Sequence, residues 1–213
     1  MPYRSLLTNP RQFFRGQVGE PDRLFVLLIL LAAGCVPLIA QLSLTSAIVL
    51  ESDNSLTLSY VVGGETASVA VSAVGSSLAS FASALVYWIV ATIGAYLLTA
   101  PFSDSGDLRT TLWIVGWGFV PPLFSGVLWL LAMIVSIQAT PTPTTVAASS
   151  EFIRAVQQTQ LVRATHYLDY GATLWAGGLW TVGVRVVRDV SWWQAALAAV
   201  PGVAIQLAPY LLL

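Results

Sequence analysis

Lysine is absent from this chain of 213 residues, and cysteine and histidine each occur once. Charged residues make up only 9% of it, against about 25% in ordinary soluble domains. That shortage excludes a water-soluble globular fold. Cys35 stands alone in an apolar run, so it can form no disulfide within the chain and no multi-cysteine metal site. It reads as a small packing residue. A single histidine, His166, rules out a paired-histidine metalloprotease motif. The formal net charge of −1 gives no electrostatic reason to expect a nucleic acid partner.

Chemistry in a membrane interior is usually built from ionisable residues held there at a cost. The ten carboxylates here (Glu20, Asp22, Glu51, Asp53, Glu65, Asp104, Asp107, Glu151, Asp169 and Asp189) all map to expected loops or helix ends. A paired-aspartate intramembrane protease therefore has no candidates. The serines lack a histidine or lysine base within a span, and no nucleophile-elbow pattern occurs. His166 is expected in an outer loop, three residues from Asp169, in a structural or solvent-exposed role. Asp104 and Asp107 flank Gly106 and read as turn formers. No catalytic, cofactor-binding or metal-binding residue is assigned.

What is present is apolar, with 56% hydrophobic residues and a mean hydropathy of +0.77. A span usually needs about 20 apolar residues, and five apolar stretches are read as spans, at 24–46, 83–100, 112–137, 170–184 and 192–213. The expected fold class is an all-α polytopic membrane protein, a bundle of five transmembrane helices. The first apolar run begins after Arg23 and is too long for a signal peptide, so it is expected to stay as an uncleaved span. The last is expected to run to the end of the sequence, with no C-terminal tail.

The segments between spans carry their own signals. Residues 1–23 form an expected cytoplasmic segment, with Thr8 or Asn9 capping a short helix that opens at Pro10. Phe13 and Phe14 beside Arg11 and Arg15 suit a helix at the headgroup boundary. Alternation at 56–60 and 67–71 around Gly63-Gly64 predicts a small extracellular β-hairpin. The competing reading is an early extension of the second helix, since Gly75, Ala79 and Ser83 recur every four residues. Residues 138–150 read as a Thr/Pro-rich linker, and 151–168 as a surface helix capped by Ser150. Thr173, Gly177 and Thr181 form a small-residue ridge, read as a packing face within the chain before a dimer face. Gln41, Gln138, Gln194 and Gln206 are candidates for hydrogen bonds between helices.

Arginine sets the expected orientation. With the N-terminus inside, Arg4, Arg11, Arg15, Arg23, Arg109, Arg185 and Arg188 fall on the cytoplasmic side, and only Arg154 and Arg163 outside. That is a positive-inside pattern. Trp113, Trp192 and Trp193 then lie near the cytoplasmic interface. The expected location is a cell membrane, with a cytoplasmic N-terminus and the C-terminus outside.

The order and spacing of several short motifs resemble the Yip family, the Rab/Ypt-interacting integral membrane proteins, in its prokaryotic branch. Leu7-Thr8-Asn9-Pro10 and Phe13-Phe14 precede the first span. Tyr87-Trp88 and Gly94-Ala95-Tyr96 lead through a polar turn with Gly106 to Gly116-Trp117-Gly118 and Pro121-Pro122. Leu174-Trp175, Gly183-Val184-Arg185 and residues 191–195 match the family's closing section. The resemblance implies five transmembrane helices in a Yip-like domain over 24–213, with a cytoplasmic N-terminus. Eukaryotic members are associated with vesicle trafficking, Rab binding and membrane shaping. This chain has a short N-terminal region and lacks their Asp-Leu-Tyr-Gly-Pro signature, so that role is not carried over.

The expected function is non-enzymatic: organising membrane or binding other membrane proteins, with the lipid bilayer as the expected partner. A homo-oligomer finds no support in the sequence. The alternative is a transporter or permease subunit for a small neutral or apolar solute, motivated by Pro37, Pro121-Pro122, Pro201 and Pro209. A membrane enzyme using Asp104 and Asp107 is the least favoured reading.

Overall fold

A computed structural model describes residues 3–47, 57–62 and 65–211. Two short helices come first, α1 (Arg4–Thr8) and α2 (Pro10–Gly19). The side chain of Asn9 accepts the backbone N–H of Gln12 at 3.2 Å, and Pro10 opens α2 where no N–H is needed. The long helix α3 (Arg23–Ala47) continues through Pro37. Strands β1 (Thr57–Val62) and β2 (Glu65–Ala70) pair antiparallel, with Tyr60 opposite Ala67. The expected turn at Gly63-Gly64 lies outside the described residues.

Helix α4 (Val71–Thr99) follows β2 directly and begins well before the span expected at 83–100. At 1.5 Å per residue α4 is about 43 Å long, against a hydrocarbon layer of about 30 Å. Its serine-containing first turns are the excess length. A 3-10 turn (Ala100–Phe102) and a short loop lead to α5 (Leu108–Trp117) and α6 (Val120–Ala139). The span expected at 112–137 is thus built from α5 and α6, which together make one membrane-length stretch, Leu108–Ala139. Pro121 and Pro122 have no N–H to offer the preceding turn, and the junction tightens. Gly118 N–H bonds Val115 O at 3.0 Å and Phe119 N–H bonds Gly116 O at 3.1 Å.

The region expected as a linker and one surface helix also differs. Helix α7 (Val146–Gln157) starts inside the expected linker, because Thr145 rather than Ser150 caps it, accepting Ala148 N–H at 3.3 Å. A break at Gln158 and Thr159 follows, and Thr159 caps α8 (Gln160–Arg188). The same hydroxyl lies 2.8 Å from Ser136 Oγ of α6. Helix α9 (Trp192–Leu211) closes the described chain. Its start is fixed by Ser191, whose N–H and hydroxyl both donate to Gln194 Oε1.

The long helices form a ring in which α3 packs on α4, α4 on α9, α9 on α8, α8 on α6, and α6 back on α3. One end is filled by a cluster including Phe14, Val26, Ile114, Trp117 and Trp180, and capped by α2, which lies against α8 and α5. The other end is filled by Leu44, Met133, Phe152, Val156 and Val162. Outward faces are apolar, with Leu27, Leu28 and Leu31 of α3 and Leu131 and Val135 of α6 exposed. That inverts the soluble pattern and suits a surrounding of lipid.

Phe13 and Phe14, expected at the headgroups, point into the protein instead. Phe14 is fully buried, and Phe13 packs edge-on against Trp117 with ring centres 4.7 Å apart. Where water is the alternative, burying such a side chain contributes about 1.5–3 kcal/mol. Tyr3 continues the aromatic stack on Phe25 and donates to Asp22 Oδ2 at 2.6 Å. That bond holds the Tyr3 pKa above its ordinary 10.0.

Candidate functional site

Two polar constructions stand out in this apolar bundle. The first is at the arginine-rich end. Arg188, expected only as a charge in a turn, is 2% exposed. Its Nε donates to Thr99 Oγ1 at 3.2 Å, its Nη1 to the carbonyls of Ser105 and Gly106, and its Nη2 to Ser103 O at 2.9 Å. The Tyr96 ring lies 4.4 Å beneath it. The backbone carbonyl of Arg188 in turn accepts from the Ser103 hydroxyl. One side chain thereby fastens the α4–α5 loop to the end of α8. The neighbouring Arg185 sits over the Trp192 ring at 4.2 Å, and Trp192 and Trp193 are exposed beside it.

The loop so held has its own geometry. Gly106 adopts φ +68, and a Cβ there would meet Val187 O at 2.6 Å. Asp107 caps α5, accepting Thr110 N–H at 2.8 Å. Hydrogen bonds from Thr110, side chain first and backbone second, hold the Asp107 carboxyl below its ordinary 3.8. Asp104 and Asp107 thus serve different ends: Asp107 is a helix cap, and Asp104 lies exposed in the loop.

The second construction is a cavity of about 480 Å³ at the centre of the ring, lined by residues of α3, α4, α6, α8 and α9. The packed ends lie above and below it. Ser125 of α6 donates to Asp169 Oδ1 of α8 at 2.6 Å. His166 and Asp169 both line this cavity from within α8. His166 falls in the stretch expected as a surface helix and is exposed, whereas Asp169, expected in a loop or at a helix end, is half-buried within α8, which begins at Gln160. Tyr87 of α4 donates to Gly202 O of α9 at 2.7 Å across the bundle. Gln206 also lines the cavity, and its buried Oε1 accepts no hydrogen bond among the described residues. Gln194, another of the glutamines expected between helices, caps α9 instead.

The expected small-residue ridge on α8 is divided between two uses. A Cβ on Gly177 would meet Val203 Cγ2 of α9 at 2.6 Å, so this position serves the α8–α9 contact. Gly171 and Gly178 have nothing within 4 Å. Alongside, Gly177, Thr181, Ala196, Val200, Ala204 and Ala208 line a shallow lateral groove between α8 and α9. Sequence reasoning found the ridge by its spacing. It missed Arg188 and the Ser125–Asp169 pair, because their partners lie 82 or more and 44 residues away.

Among the described residues, three helices are long and apolar enough to cross a membrane, at Arg23–Leu44, Leu78–Phe102 and Leu108–Ala139, and Trp192–Ala208 is a shorter apolar helix. Apolar helices packed in a ring with apolar outward faces define an integral, multi-pass membrane protein. The Yip1 domain model matches residues 4–213, and the chain belongs to the Yip1 family. No curated protein and no solved structure matches the chain.

Proposed function

We propose that this Yip1 family protein is a non-enzymatic scaffold of the cell membrane that binds other membrane proteins through their transmembrane helices. In this reading it has five spans, with α8 and α9 as the fourth and fifth. Residues 1–23 form a cytoplasmic segment with an interfacial helix, and the C-terminus and the β1–β2 hairpin face outside. Its kin are then the prokaryotic members of the family. The arginine distribution supports the orientation, and the excess length of α4 and α8 supports projection beyond the bilayer on one side.

The observation that carries the scaffold reading is the α8–α9 groove. Lipid tails are as apolar as leucine, so helices associate in a bilayer where small side chains let backbones approach closely. Gly177, Thr181, Ala196 and Ala204 provide such a surface at the bundle's outer wall. The packed clusters at either end of the ring favour this over a solute path. The test is photo-crosslinking in intact cells from position 204 in the groove and from position 97 on the lipid-facing side of α4. A discrete protein adduct at 204 and none at 97 supports the reading. Lipid adducts alone at both positions contradict it.

A further inference from the structure

The groove behind the scaffold reading lies where α9 meets α8, and a second groove lies where α9 meets α4. Its volume is about 720 Å³. Val86, Val90 and Ile205 line it and are exposed, so it opens on the outer wall. Its polar members are Ser83, Tyr87 and Gln206, and the last two also line the central cavity. We propose that this groove takes a single-chain lipid alcohol from the bilayer, its hydroxyl on the Gln206 amide and its chain along Val86 and Val90. The proposal stands apart from the scaffold reading, which concerns the other side of α9.

The unmet group is the Gln206 amide. Its Oε1 is buried and accepts no hydrogen bond among the described residues, and its nitrogen donates to none of them. No such bond holds the amide in place, so it can turn toward either space. The other polar groups of the groove are held. The Ser83 hydroxyl donates to Ala79 O at 2.7 Å, and the Tyr87 hydroxyl to Gly202 O at 2.7 Å. An amide carries both an acceptor and donors, and a hydroxyl donates and accepts. One hydroxyl therefore suits the amide whichever way it turns. A methyl ester only accepts, and an alkane does neither.

Depth and charge select a neutral head. Along α9, Gln206 stands about 21 Å from Trp192, inside a hydrocarbon layer of about 30 Å. A charged head is disfavoured at that depth, and no charged residue borders the groove among those described. The volume falls within the range of ligand pockets. One unheld amide matches one hydroxyl. A diacylglycerol would add two ester carbonyls, for which the groove has no further unheld donor.

Photolabelling of the full chain in nanodiscs tests this, with a decanol that carries a diazirine at mid-chain and with adducts located by peptide mass mapping. The expected adducts fall on 79–90 and 205–206. Excess decanol should reduce them about tenfold, and equal decane, methyl decanoate or dioctanoylglycerol less than about twofold. Gln206→Leu should remove the advantage of decanol over decane. Val86→Trp fills the groove from a lipid-facing position and should abolish the adducts. It decides the matter if Gln206→Leu fails to fold, since Val86 is 58% exposed and lies outside the core. Equal competition by decanol, decane and methyl decanoate overturns the proposal, as do adducts undiminished in Val86→Trp. Dioctanoylglycerol competing as well as decanol overturns the single-chain assignment.

Discussion

Arg188 and Gly106 are joined by a hydrogen bond of 2.5 Å from guanidinium to backbone carbonyl, across 82 residues of sequence. The bond belongs to a fan that also reaches Ser103, Ser105 and Thr99, and it orders a loop with no regular structure of its own. Removing the fan in Arg188→Met takes the charged donor from the carbonyls of Ser103, Ser105 and Gly106, and hydrogen bonds to a charged group contribute about 1.5–3 kcal/mol each. We expect a loss of about 3 kcal/mol or more in denaturant unfolding from mixed micelles. Arg188→Lys should recover only part of it, since an ammonium cannot reproduce the planar fork.

Gly106→Ala tests the same loop from its backbone. A left-handed φ costs an L-residue about 1–2 kcal/mol, and here the added methyl would also press on Val187 O. The expected loss is about 2 kcal/mol or more, and Gly106→Asn should lose less than Gly106→Ala. Equal stability of wild type and Gly106→Ala would remove the turn geometry described above.

Asp107 gives a pH dependence with a fixed sign. Its carboxyl titrates lower in the folded protein than its ordinary 3.8. The stabilisation is therefore complete above about pH 4 and disappears as pH falls through the lowered native value. Asp107→Ala should cost about 0.5–2 kcal/mol at neutral pH, as lost helix caps do. That difference should shrink as acid protonates the native cap, which unfolding curves for both proteins at pH 7 and near pH 3 would show.

Phe14→Ala addresses the docking of α2. Phe14 is fully buried among residues of the packed end, with Ile114 in the same cluster. Large-to-small changes at such sites cost about 3–5 kcal/mol. Because α2 caps the bundle rather than spans it, the loss should appear first as protease cleavage between α2 and α3, with the remaining helices still protected.

Much of this architecture was legible because its causes are local. Asn9-Pro10 marks a helix start through cap chemistry, and Leu-rich runs mark membrane-length helices. Pro121-Pro122 marked a loosened helix, although only the structure shows it as a break at Gly118. The ends of α4, α7 and α8 were not legible. Serines outside the hydrocarbon still form helix in α4, and Thr159 restarts a helix that the periodicity of 151–168 had run together. The polar interior was the least legible part. Arg188 reads as a turn charge and Asp169 as a loop carboxylate, since each acquires its meaning only from partners brought together by the ring.

The central claim is a five-span bundle with its arginine-rich end cytoplasmic. Cysteine accessibility in intact cells tests it most directly, on a Cys35→Ser background with single cysteines at Asp104, Thr142 or Ser191. The account predicts that an impermeant maleimide labels Thr142→Cys from outside, and labels Asp104→Cys and Ser191→Cys only after the membrane is opened. Labelling of Thr142→Cys and Asp104→Cys from the same side would contradict it.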